Sequence, residues 1–260
     1  MLFRSWKQHY WLKQHCTWLY SVSLQHHRNN NTAVGYQAGY SNTTGSLNTA
    51  IGNQALYANT TASSNTAVGH ISLTNNTTGS GNTSVGANSL QSNTTGSSHV
   101  AVGLQALYSN TTGAYNTAIG YTALLSNTTG SRSIAMGYQA GYSNTTGAIN
   151  AIGDGALYSN TTGAGNVALG GGNNTALYPS LYANTTGNYN TAVGMGSLGQ
   201  NITASNLTAV GYQALYSNTG GANTAVGAQA LYSNTSGIYN TAIGGGVVGS
   251  NTGALGQKDR

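Results

Sequence analysis

Side chains able to do chemistry are scarce in this chain. Its only acids are Asp154 and Asp259, and glycoside cleavage ordinarily needs two carboxylates at one bond. His70 and His99 each replace a different residue of a repeat, have no acidic partner, and read as variable surface positions. A single cysteine, Cys16, excludes an intrachain disulfide and a thiolate metal cluster. Asp-rich loops of the Ca²⁺-binding kind are absent. The expectation is therefore no enzyme, no metal and no cofactor. What remains is neutral. Asparagine recurs at Asn42, Asn59, Asn76, Asn93, Asn110, Asn127, Asn144 and Asn160, and on to Asn184, Asn201, Asn218, Asn234 and Asn251. Stacked about 4.8 Å apart, such amides can hydrogen-bond one another in a structural ladder. Most also open an Asn-Thr-Thr sequon, but glycans one coil apart would be sterically crowded. Tyrosine recurs at Tyr40, Tyr57, Tyr108, Tyr142, Tyr158, Tyr216 and Tyr232. An aromatic row on an exposed ridge can stack sugars or anchor a protein partner; the same row can simply pack ring on ring.

These rows are placed by a repeat. The glycine of Asn-Thr-Ala-Val/Ile-Gly recurs thirteen times from Gly35 to Gly244, mostly at steps of 17 residues. We number the unit from its asparagine as position 1, so that the glycine is position 5. Position 4 is aliphatic throughout, from Val34 and Ile51 to Ile243, and position 9 is usually leucine, as at Leu56, Leu107 and Leu215. Two short segments separated by Gly or by Asn-Thr-Thr-Gly suit two strands and two turns per coil. Glycines at positions 5 and 15 would supply positive φ at the corners. Thirteen such copies predict an all-β repeat solenoid over residues 29–257, about 60 Å long at ordinary strand spacing. The apolar content of one coil is thin against the entropy of ordering it. Two apolar rows, at positions 4 and 9, allow one interface inside the chain and one between chains, which favours an oligomer.

Charge limits the partners. Only 3 % of residues are charged, against about 25 % in an ordinary soluble domain. Between Asn29 and Gln257 stand one base, Arg132, and one acid, Asp154, so the array lacks the basic surface that nucleic acid requires. Residues 1–28 depart from the pattern: they hold Trp6, Trp11 and Trp18 and are basic and aromatic. They read as a poorly ordered leader, with a membrane-surface segment or a cap on the first coil as the alternative. Any membrane contact would come through them, since no apolar run approaches the length of a spanning helix. Residues 258–260 form a tail.

Asn-Thr-Ala-Val-Gly followed three residues later by Ala resembles the head repeats of trimeric autotransporter adhesins, the YadA-like head. The longer form, Asn116-Thr-Ala-Ile-Gly-Tyr-Thr-Ala-Leu-Leu-Ser-Asn-Thr-Thr-Gly130, also resembles repeats of phage-type tail fibres. The resemblance covers nearly all of residues 31–253. It implies a parallel left-handed β-roll built as a homotrimer, on a cell surface or outer membrane or as a virion tail fibre. There it would serve as the shaft or head for attachment to a host-surface glycan or matrix protein. The unit is longer than the usual adhesin-head repeat. Anchor, stalk and chaperone domains of those families are missing, and the last coil stops partway, which suggests a fragment of a longer fibre.

Two features stay open at this level. A seven-residue excess between Gly170 and Gly194, near residues 171–180, contains the only proline, Pro179; such insertions carry binding loops or are merely tolerated. Threonines at position 13 (Thr43, Thr60, Thr77, Thr94, Thr111, Thr128, Thr145, Thr161) would form a rank suited to ice binding. A second rank at position 2 is interrupted by Val100, Ile134, Asn150 and Val167. A purely structural spacer is the remaining alternative.

Overall fold

The computed structural model describes residues 30–172 and 178–246; the leader, the tail and Asn251 lie outside this range. Among the described residues the protein is all-β. Thirteen strands, β1 (Thr32–Val34) through β13 (Thr241–Ile243), form one sheet in strict sequence order. Every neighbouring pair is parallel and in register, so that Ala33 lies beside Ala50 and Ala50 beside Ala67. The chain is a β-solenoid that makes about one turn per repeat. Each strand is only three residues long, except the four-residue β8 (Ile149–Ile152) and β9 (Asn166–Leu169). Thr-Ala-Val suits a strand because a β-branched residue sits on each side of a small one that must point inward.

One strand per coil replaces the two expected. The second segment, Gln-Ala-Leu-Tyr, is turn structure. Its position 7 and position 9 residues take left-handed backbone, as at Gln54 (φ 53°) and Leu56 (φ 53°), and so does position 17, as at Ser64 (φ 61°). Left-handed residues alternating with ordinary ones curl the chain sharply, which three residues of strand could not do alone. The segment still bonds coil to coil: the Leu56 N–H donates to Ser72 O at 3.0 Å and the Ala58 N–H to Thr74 O at 2.8 Å. Left-handed leucine is costly. Full burial opposes that cost, since Leu56, Leu107 and Leu215 sit at 0–1 % exposure.

The interior holds Ala at positions 3 and 8 and Leu at position 9, repeated up the axis. Where serines stand in for these alanines they meet: Ser72 Oγ donates to Ser84 Oγ at 2.8 Å, and Ser84 contacts Ser89. Position 4 points the other way. Ile51, Met136 and Ile152 are 39–40 % exposed, and the intervening valines and isoleucine are half-buried. Of the two apolar rows, position 9 fills the inside and position 4 lines the outside.

The two glycine positions have different causes. At position 5 the conformation demands glycine, with φ +134° at Gly103. At position 15 no positive φ occurs between Gly45 and Gly187, contrary to expectation. There the limit is space, because a Cβ on Gly79 or Gly113 would run into the carbonyl of the next coil and the position 12 amide. Ala62 and Ala204 occupy the same position, so a methyl is admitted where the neighbours can shift.

Candidate functional site

Neutral polar rows run along the solenoid, and each is held by the coil-to-coil register. The position 12 asparagines are buried, at 0 % exposure from Asn59 to Asn234. Their amides hydrogen-bond up the stack: Asn59 Nδ2 to Asn42 Oδ1 at 3.1 Å, Asn76 to Asn59 at 3.0 Å, Asn93 to Asn76 at 2.9 Å and Asn110 to Asn93 at 2.9 Å. The run resumes from Asn160 to Asn144 and continues through Asn184 and Asn201. It is interrupted at Asn127, whose Oδ1 turns to accept from the Gly130 N–H at 2.8 Å, leaving Asn110 Oδ1 without a partner. Each amide also caps its own turn, as Asn93 Nδ2 does on Gly96 O at 2.9 Å. A sequon nitrogen committed to two acceptors and sealed from solvent offers no glycan acceptor in the folded rod.

Sequence reasoning missed a second ladder. From Asn48 onward the position 1 asparagines are buried too, and their Oδ1 accepts the backbone N–H of the same position one coil on: Asn65 N to Asn48 Oδ1 at 2.9 Å, Asn82 N to Asn65 Oδ1 at 2.9 Å. Their Nδ2 donates to position 15 carbonyls, such as Asn65 to Gly79 O at 2.9 Å. Two polar residues flanking the strand and the turn thus converge on one carbonyl. The Asn that opens every Asn-Thr-Ala-Val-Gly was the available signal.

His99 occupies position 1 and is buried at 1 % exposure, correcting its placement at the surface; His70 is exposed. Its backbone N–H donates to Asn82 Oδ1 at 3.0 Å, and its Nδ1 accepts from the Asn116 N–H at 3.2 Å. With Nδ1 used as an acceptor, the ring proton sits on Nε2. Burial lowers its pKa to about 4, against a hydrogen bond to the Gly113 backbone that pulls the other way.

Truncating one rung of the first ladder tests it. Asn93→Ala leaves Asn76 Oδ1 without its donor and Gly96 O with the Asn82 amide alone, and is expected to cost about 2 kcal/mol of unfolding free energy. A denaturant titration that places Asn93→Ala within a few tenths of wild type would remove the ladder from the account of stability.

The expected tyrosine ridge is half-buried and comes in pieces. Tyr40 stacks on Tyr57 with ring centroids 5.4 Å apart. Among the described residues no other tyrosine stacks on Tyr108, since neighbouring coils place Gln91 and Leu125 at its position. Tyr142, Tyr158 and Tyr182 form a second stack, at 5.0 and 5.3 Å, and Tyr216 stacks on Tyr232 at 5.3 Å. Burial raises the pKa of Tyr158 and Tyr216, and the neighbouring phenols raise it further. Tyr182 escaped the sequence reading because the insertion hid its register; counting back two residues from Asn184 would have found it.

The insertion completes the second stack. Its backbone is bracketed by Gly172 N–H to Asp154 O at 3.2 Å and Ser180 N–H to Gly170 O at 3.0 Å. In the next coil the tyrosine position is Gly199. Tyr178, from the insertion, fills the space above it, 5.2 Å from Tyr182 and 6.0 Å from Tyr216, tilted 39° to both. A groove of about 610 Å³ opens beside these rings.

The threonine rank is regular, and most of its hydroxyl protons are committed to the stack: Thr60 Oγ1 donates to Thr77 O at 3.1 Å, and Thr77 Oγ1 to Thr94 O at 3.0 Å. Among the described residues, no group of three His, Cys, Asp or Glu side chains comes together, and no helix is long and apolar enough to cross a membrane. Asp154 is exposed. No family model, curated protein or solved structure matches the chain.

Proposed function

We propose that the protein is a non-enzymatic fibrous surface protein, the shaft or head of an adhesin or tail fibre, built from three copies of the chain and acting in attachment. One observation carries the reading: the outward aliphatic ridge at position 4. From Val34 through Val102, Ile119 and Ile152 to Val226 it places one large apolar side chain per coil on the outer surface. Such a stripe favours a partner that removes it from water. A stripe repeating at every coil is matched by an identical chain in the same register, and cyclic association presents the same face of each copy. The near-absence of charge along the array permits close lateral packing. The extracellular or virion location belongs to this proposal.

Light scattering on a sizing column tests it. The wild-type chain is expected at three chain masses, and Val102→Lys with Ile119→Lys at one, with the circular dichroism of the coils retained. A folded wild-type monomer would overturn the trimer. Thermal hysteresis from such a monomer would favour ice binding, the reading supported by the even spacing of the position 13 threonines.

A further inference from the structure

We infer that the groove beside Tyr178 is a binding site for a neutral saccharide. It gives the attachment reading a place and a ligand class, and depends on that reading only for its biological purpose.

The repeat departs from its own rule here in a concerted way. Between Tyr40 and Tyr232, Gly199 is the only position 10 residue without a side chain; Gln200 replaces the usual small residue at position 11. Ile202 is the only position 13 residue that is not threonine. All three face one groove, together with Tyr178 and Tyr182. Tyr178 itself comes from the one long insertion in the array. A change confined to packing would need no such convergence on one face.

The tyrosine faces explain the ligand class. Along the rest of the row the rings lie closer to parallel, at 4–6° in Tyr40–Tyr57, Tyr142–Tyr158 and Tyr216–Tyr232 and 16° in Tyr158–Tyr182. Their faces cover one another, leaving mainly edges for a ligand. At Tyr178 the tilt of 39° on both sides opens the stack, and the residue is 36 % exposed. An exposed phenol face suits the C–H face of a sugar ring, with the hydroxyl as a polar handle. Around it stand neutral hydrogen-bonding groups: the Gln200 amide and the hydroxyls of Ser159 and Ser217. The Gln200 side chain lies close enough to the Tyr216 phenol to act on it. No Lys, Arg, Asp or Glu lines the groove, so an anionic or cationic ligand would bring a charge with nothing to answer it. The volume lies within the range of small-molecule sites. Its open form suits one or two rings of a chain that continues into solvent.

The test uses the full chain on a panel of immobilised neutral oligosaccharides ending in hexose or N-acetylhexosamine, with sialylated and sulfated counterparts and a set of peptides. Light scattering is run on the same samples, so that loss of the trimer and loss of binding are read separately. Wild type is expected to bind at least one neutral oligosaccharide, and both Tyr178→Ala and Gln200→Ala to weaken it at least tenfold. Tyr57→Ala, on the other stretch of the row, should leave binding unchanged. The proposal is overturned if no neutral member binds the folded chain, if only charged members or peptides bind, or if Tyr57→Ala weakens binding as much as Tyr178→Ala.

Discussion

Replacing Gly103 with alanine is expected to lower the stability of the folded rod by roughly 4 kcal/mol. Two independent costs fall on that residue. Its φ of +134° lies where a side chain is strained, worth about 1–3 kcal/mol. The new Cβ would also approach the Gly120 carbonyl to 2.5 Å and its carbon to 2.7 Å. Those are backbone atoms of the next coil, fixed by the Gly120 N–H to Val102 O bond at 2.8 Å, and cannot swing aside. Gly81→Asn is the control. Gly81 also has positive φ, +71°, but a Cβ there meets only Ser98 Oγ at 3.7 Å, and asparagine tolerates left-handed backbone. It should stay within about 1 kcal/mol of wild type. Urea unfolding followed by circular dichroism compares the two variants; equal midpoints would show that the coil contact at position 5 is softer than its geometry implies.

The rod should also lose about 3 kcal/mol of stability as pH falls from 6.5 to 4, because of His99 alone. The folded pKa, about 4, lies below the ordinary value of 6.5. Falling pH therefore protonates the unfolded chain first, and stability drains through that window. Above pH 6.5 the contribution is intact. The groups facing the ring are amides and backbone, from Asn110, Gly113 and Asn116, so no carboxylate stands ready to receive the added charge. His99→Asn restores the residue that the other coils carry most often at this position. It should flatten the pH dependence and leave stability near pH 7 almost unchanged. The prediction falls if wild type and His99→Asn lose the same stability between pH 6.5 and 4.

How much of this was legible beforehand depends on which force sets each feature. The period and the stacking follow from spacing alone, because apolar residues every 17 positions can be buried repeatedly only by stacking; spacing left open which of the two apolar rows, position 4 or position 9, faces inward. The number of strands per coil did not follow. Gln-Ala-Leu-Tyr has ordinary strand composition, and only its left-handed φ at Gln54 and Leu56, imposed by closure of a narrow coil, makes it a turn. His99 looked like an outlier on a variable surface because the inward direction of position 1 cannot be read from a polar residue. Gly79 and Gly113 looked like turn glycines, yet neighbouring atoms rather than φ require them to be small. Tyr178 was hidden for a different reason: an insertion breaks the count, and only three-dimensional closure returns its ring to the row it left.

The in-register stack survives coils of unequal length. The step from Gly137 to Gly153 is 16 residues and that from Gly170 to Gly194 is 24, yet β7 (Ile134–Met136) still pairs with β8, and β9 with β10 (Thr191–Val193), residue for residue. Each coil touches mainly the coils beside it. A gene encoding such a rod can gain or lose one whole unit by unequal recombination between near-identical segments. The product would be longer or shorter by about 4.8 Å, with its remaining contacts unchanged. Reach becomes a heritable trait that varies in steps, separate from the one irregular coil pair that carries Tyr178 and Gly199.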